Sequence, residues 1–118
     1  MYHTEELSKE AKALKKDTVY FETIWERAVE AGHRAVKVYA PTGELVRGSV
    51  WINIRPANSP FANWLRSKRL AGKNAYRSGI TAWITIGGSI EAREAWANAV
   101  ANVLNRAGYR AHVGSLAD

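Results

Sequence analysis

Residues 80–113 constrain the fold more than any other part of the chain, because their hydrophobic period switches twice within 34 positions. Ile80, Ala82, Ile84 and Ile86 alternate with Thr81, Trp83 and Thr85, which is the period of a strand. Gly87-Gly88 ends that alternation, and Ser89 stands where a helix N-cap belongs. Ala92, Ala95, Trp96, Ala99, Val100, Val103 and Leu104 then recur at alternating steps of three and one, a single buried stripe on a helix. Glu91 suits the positive helix N-terminus and Gly108 closes the helix. Tyr109, Ala111 and Val113 alternate with Arg110 and His112 as a short strand. The segment is therefore a β-α-β unit, with a right-handed crossover if its strands are parallel neighbours.

The rest of the chain supplies partners for this unit. From Thr4 to Ala31, Leu7, Ala11, Leu14, Phe21, Trp25 and Ala28 recur at heptad-like spacing, predicting helix. Asp17 and Thr18 can cap a fresh start, so the spacing favours a loosely packed first helix over residues 1–17 and a firm second one that Gly32 ends. Residues 34–40 alternate, Val36, Val38 and Ala40 against Lys37 and Tyr39, and residues 46–55 alternate again across the turn Pro41 to Glu44. Together they predict an antiparallel hairpin. Pro56 to Asn58 break the second strand, and Ser59 followed by Pro60 opens a helix to about Ala71 with Phe61, Trp64 and Leu65 inward. Gly72 should stop that helix, leaving 72–79 as a basic loop and 114–118 as a frayed end. The expected class is α+β, one domain over 1–118 holding a single small sheet of about four strands. The β-hairpin is followed by α-β-α-β, with a helical segment in front. That order differs from the ferredoxin-like β-α-β-β-α-β, and the sequence resembles no family.

Absence of cysteine excludes disulfides, thiolate metal sites and Cys-based chemistry, and suits a reducing compartment, so cytoplasmic residence is expected. No apolar run approaches the length of a membrane span and the first residues do not form a signal peptide, so no membrane partner is expected.

Charge is the unusual property. The chain has 17 basic and 11 acidic side chains, and residues 45–90 contain no acidic residue but seven cations, whose removal leaves ten against eleven. The positive excess thus sits in one region, interleaved with Trp51, Phe61, Trp64, Tyr76 and Trp83. Cations among aromatics suit a polyanion with stackable bases. The leading expectation is a non-enzymatic nucleic-acid-binding domain, DNA or RNA undetermined. Arg55, Arg66, Lys68, Arg69, Lys73 and Arg77 would meet phosphates, with Trp51 or Tyr76 stacking on bases. Arg66, Arg69, Lys73 and Arg77 form one cationic stripe if the helix runs through Gly72, and a cluster on a helix end and loop if it does not. The plainer reading is a solvated face, with cations favoured by a helix C-terminus. Four or five phosphate contacts would weaken binding roughly 100-fold to 1,000-fold between 50 and 200 mM salt.

On the strands, Trp51 with Arg47, Asn53 and Arg55 points away from Val50, Ile52 and Ile54, and Lys37, Tyr39 and Trp83 are candidates to join it. Either this face is open, as in single-strand RNA readers, or a helix covers it and makes Trp51 and Trp83 core. No RNP-like aromatic motif is present.

Gly87, Gly88 and Ser89 form a second, weaker candidate, an anion site at a helix N-terminus, although no Walker A lysine or G-x-G-x-x-G accompanies them. His3, His33 and His112 lack metal-ligand spacing, and no carboxylate pair converges, so no catalytic residue, metal or cofactor is expected. Trp25, Trp64 and Trp96 read as core, yet five tryptophans in 118 residues also suit a protein-binding surface. The alternative function is a small accessory or inhibitor module, of the phage or mobile-element kind, docking on an acidic protein partner through a Trp/Arg-rich surface.

Overall fold

The computed structural model describes residues 2–39, 49–73, 79–82, 84 and 86–116. Among these residues three α-helices and a four-stranded antiparallel sheet make an α+β fold, with α1 spanning Tyr2–Ala35, α2 Pro60–Ser67 and α3 Ile90–Arg106. The strands are β1 Ser49–Arg55, β2 Ala71–Lys73, β3 Ile80–Ala82 and β4 Arg110–Leu116, in spatial order β2-β3-β1-β4. β1 is antiparallel to both β3 and β4, and β2 to β3. Each α-helix between strands therefore joins a parallel pair with a third strand inserted between them. This connectivity, β-α-β-β-α-β with order β4-β1-β3-β2, is the ferredoxin-like arrangement, which differs from the expected order β-β-α-β-α-β; the strands flanking α3 are parallel but have β1 between them.

Two local differences produce that change. Residues 34–39 are no strand: α1 continues through Ala35 into a 3₁₀ turn, Val36–Val38. In a strand Val36 and Val38 would share a face, whereas here Val36 packs on the core and Val38 is 84% exposed. Conversely, Ala71–Lys73, expected at a helix end and loop, pairs with β3 with Ala71 opposite Ala82. Strand β3 spans Ile80–Ala82 with Ile84 and Ile86 outside it, and β4 is longer than expected, since Gly114, Ser115 and Leu116 pair with Trp51, Val50 and Ser49 instead of fraying. The proposed turn at residues 41–44 and the loop at 74–78 lie outside the described residues.

The helix α1 is continuous past Asp17 and Thr18, so neither starts a second helix, and Gly32 does not end it. Its buried stripe, Phe21, Ile24, Trp25 and Ala28, simply carries on to Gly32. There the helix lies against Trp96 of α3, so closely that a Cβ on Gly32 would fall 2.6 Å from the indole Cδ1. Glycine at this position serves a helix crossing. Facing it, α3 buries Ala92, Trp96, Ala97, Val100, Ala101 and Leu104. These helices, together with Phe61, Trp64 and Leu65 of α2, share one core with Val50, Ile52, Ile54, Ile80 and Ala82 from one face of the sheet.

Ser59 and Ser89 cap α2 and α3 as expected, each hydroxyl oxygen accepting from the backbone N–H three residues on at 3.1 Å. The two helices also end alike. Leu70 N–H donates to Leu65 O and Arg69 N–H to Arg66 O, and in α3 Tyr109 donates to Leu104 O and Gly108 to Asn105 O. Both are Schellman motifs, which require a left-handed residue. Gly108 (φ 97°) fills that position in α3, but in α2 it is Arg69, at φ 59°, and not Gly72.

Replacing Gly32 with Ala is expected to lower unfolding free energy by about 1–3 kcal/mol, overpacking outweighing the roughly 1 kcal/mol gain in helix propensity, as read by urea denaturation. Arg69→Gly should act oppositely, raising stability by about 0.5–1 kcal/mol once left-handed strain is relieved; a loss would show that the arginine side chain itself stabilises the turn.

Candidate functional site

Strand alternation sends Val50, Ile52 and Ile54 toward the helices and Trp51, Asn53 and Arg55 toward the opposite face. The register extends that outer face across the sheet. Gly72, Thr81, Asn53 and His112 form one row, Arg55 and Arg110 a second, and Trp51 and Gly114 a third. No described helix packs here, since the core residues of all three helices lie on the inner face. None of the four strands carries Asp or Glu; the described carboxylates stand on α1 and α3.

Arg55 is held in place. Its Nε donates to Asn53 Oδ1 at 3.0 Å, and Asn53 is only 3% exposed, so the amide is a fixed acceptor. A Cβ on Gly79 would come within 2.8 Å of Arg55 Cγ, so the aliphatic stem lies on bare backbone. Directly across the ladder stands Arg110. Asn105 occupies the outward N–H and C=O of Ala111 through its side-chain amide, both at 2.9 Å. Ala111 therefore bonds away from β1, which makes Arg55 and Arg110 the hydrogen-bonded pair beside it, with Cα atoms about 5.5 Å apart. Like charges directly opposite on a sheet repel, by roughly 0.2–1 kcal/mol.

Two clefts flank this arginine pair. One, of about 660 Å³, lies beyond the end of β1 and is lined by Arg55, Pro56, Ser59, Gly79, Tyr109 and Arg110. Ser59 places it at the N-terminal end of α2, and the Tyr109 ring is fixed by stacking on Phe61 at 4.3 Å. The other, about 340 Å³, lies along the sheet edge between Asn53, Arg55, Asn105, Arg110 and His112. Further along the face Trp51 lies over Gly114, where a Cβ would come within 2.4 Å of the indole Cε2. Thr81 Oγ1, beside Asn53, is buried without a hydrogen-bond partner among the described residues.

The predicted residues thus divide between two places. Trp51 and Arg55 share the outer face. Arg66, Lys68 and Arg69 are exposed at the C-terminal end of α2, in the helical layer, where Lys68 lines a 250 Å³ cleft with Glu22 and Glu26 of α1. Because α2 ends at Ser67, the stripe through Gly72 does not form, and Lys73 instead ends the edge strand β2, exposed. Arg47, Tyr76, Arg77 and Trp83 lie outside the described residues. Lys37 and Tyr39 follow α1 in and after the 3₁₀ turn, so they do not join Trp51 by strand pairing. At Gly87, Gly88 and Ser89, the Ser89 hydroxyl oxygen is engaged as the α3 cap.

Arg110 and His112 are the residues that the sequence reading missed. A signal for them existed, because residues 95–117 also contain no acidic side chain. Among the described residues there is no group of three or more metal-ligating side chains, and no helix is long and apolar enough to cross a membrane. No protein-family model, no curated protein sequence and no solved structure matches the chain.

The seat of Trp51 on Gly114 is testable by a double-mutant cycle. Gly114→Ala should destabilise by about 1 kcal/mol or more, and the loss should vanish in a Trp51→Ala background, as urea denaturation would show. Additive losses would place the indole elsewhere.

Proposed function

We propose that this chain is a non-enzymatic module that binds single-stranded nucleic acid across the outer face of its sheet. The observation that carries the reading is a sheet face packed by no described helix, bearing Trp51, Arg55, Arg110 and His112, on strands without a carboxylate. A flat face with an aromatic ring suits unpaired bases, whose π-faces a duplex hides, and cations along the same strands suit the backbone. Trp51 stacks on a base, and Arg55 and Arg110 meet phosphate. Arg66, Lys68, Arg69 and Lys73, in the helical layer and at the sheet edge, extend the positive field and take the more distant phosphates. Tyr76 and Arg77 belong to the same acid-free stretch and keep their proposed stacking and phosphate roles.

A protein partner is the second reading, supported by Val19 and Tyr20, which expose 62% and 49% of their surface on α1. A stoichiometric protein that stays bound after nuclease treatment would favour it.

The test is intrinsic tryptophan fluorescence during titration with single-stranded DNA, single-stranded RNA and duplex at about 50 and 200 mM salt. Single strands are expected to quench and to remain bound at the higher salt. Trp51→Ala should weaken binding by about 1–3 kcal/mol, and Arg110→Ala should lower the salt slope by about 0.7. Replacing Arg66 and Arg69 together with Ala should weaken binding less than replacing Arg55 and Arg110. Equal binding of all three ligands that disappears with salt would reduce the charge to a nonspecific surface.

A further inference from the structure

We infer that the cleft between Arg55, Arg110 and the N-terminal end of α2 holds a terminal phosphate, a phosphomonoester dianion presented at the end of a bound strand. The inference rests on the sheet-face reading and names which part of the ligand this end of the face receives.

Two arginines stand at paired positions of β1 and β4 and line the same cleft, and the strands around them carry no carboxylate. An internal phosphodiester offers one negative charge to that pair. A phosphomonoester carries about −1.5 to −2 near neutral pH and three acceptor oxygens, which matches two arginines. With Cα atoms about 5.5 Å apart, both side chains can reach a single phosphorus centre, and an anion between them turns mutual repulsion into attraction.

Preorganisation points the same way. Arg55 spends its Nε on the buried Asn53 amide, and its stem is pressed on Gly79, so its two terminal nitrogens present a fixed fork instead of a mobile cation. Tyr109, stacked on Phe61, and Pro56 give the cleft apolar walls, while Ser59 marks the α2 N-terminus, where the helix dipole favours an anion. A volume near 660 Å³ accommodates a terminal nucleotide as well as its phosphate. The cations at the other end of α2 lack this construction, since Lys68 shares its cleft with Glu22 and Glu26.

The experiment compares one short oligonucleotide in three forms, bearing a 5′-phosphate, a 3′-phosphate or hydroxyls at both ends, by fluorescence anisotropy with wild-type protein. One of the two phosphorylated forms should bind about tenfold or more tightly than the hydroxyl form, the gain expected from charge-assisted hydrogen bonds to an otherwise solvated dianion. Arg110→Gln and Arg55→Gln should each abolish that preference, so that the phosphorylated and hydroxyl forms bind them equally, and Arg66→Gln should keep it. Inorganic phosphate should compete for the increment alone and shift the amide resonances of Gly79 and Gly108. Equal affinity for all three forms, or a preference that survives both arginine replacements, overturns the terminal-phosphate site but leaves the sheet-face reading intact. If no oligonucleotide binds, the sheet-face reading fails, and the phosphate titration then decides the cleft by itself: saturable shifts at Gly79 and Gly108 retain a phosphomonoester site, and their absence removes it.

Discussion

The seating of Trp96 against Gly32 is the contact on which the arrangement depends. Trp96 is fully buried, and its ring occupies space that any side chain on α1 at that point would fill. Ala28, one turn earlier on α1, and Ala97 and Ala101 on α3 are also buried and small, so the two helix backbones approach closely along several turns. Close packing lets both helices gather over the apolar side of the sheet, where Ile52 and Ile54 are almost completely inaccessible. The outer side therefore keeps the polar and aromatic residues that strand alternation assigns to it. A wider crossing would spread the helical layer and expose the apolar side of β1.

Charge follows the same division. Glu22, Glu26 and Glu30 stand on α1 and Glu91 and Glu94 on α3, whereas the strands carry Arg55, Lys73 and Arg110 and no carboxylate. Field lines from Arg55 and Arg110 are thus not terminated by a carboxylate within the sheet, while the cations at the end of α2 stand near acidic α1. The same formal charge is consequently worth more on the sheet than on the helical layer, as a source of attraction for a polyanion. Counting cations along the sequence cannot make this distinction. Position relative to the carboxylates decides it.

What was legible in the sequence was whatever is decided within a few residues. The Ser59-Pro60 and Ser89 starts, the stripe on α3 and the alternation in β1 are local signals, and each appears where it should. The errors arise where a local pattern has two solutions or where tertiary pairing makes the choice. Val36, Lys37 and Val38 alternate over too short a span to separate a strand from a helical turn, and the approach of α1 to α3 settles it. Ala71-Gly72-Lys73 has no strand former at all and is a strand because β3 offers it a ladder. Arg69 at a left-handed position is invisible to a rule that expects glycine there. The partnership of Arg55 with Arg110 depends on register between segments 55 residues apart in sequence, so the acid-free run around Arg110 had no evident connection with the one around Arg55.

The polar centre of the outer face bears on how such a surface would act. Asn53 and Thr81 are 3% and 8% exposed, although no described helix covers them. A solvated sheet face would leave short polar side chains on its central strands hydrated. Because Asn53 is shielded from water, its hydrogen bond to Arg55 operates at reduced local dielectric and is correspondingly stiff. Stiffness at Arg55 has a consequence for recognition: a guanidinium already fixed loses little rotamer entropy when it meets an anion, so more of the interaction energy is available for affinity. Trp51, seated over Gly114, has the same property of being positioned before a ligand arrives. The face thereby combines a preset ring and a preset cation about 13 Å apart along one strand, at roughly 3.3 Å per residue, and that fixed separation, more than the number of positive charges, is what would discriminate between ligands.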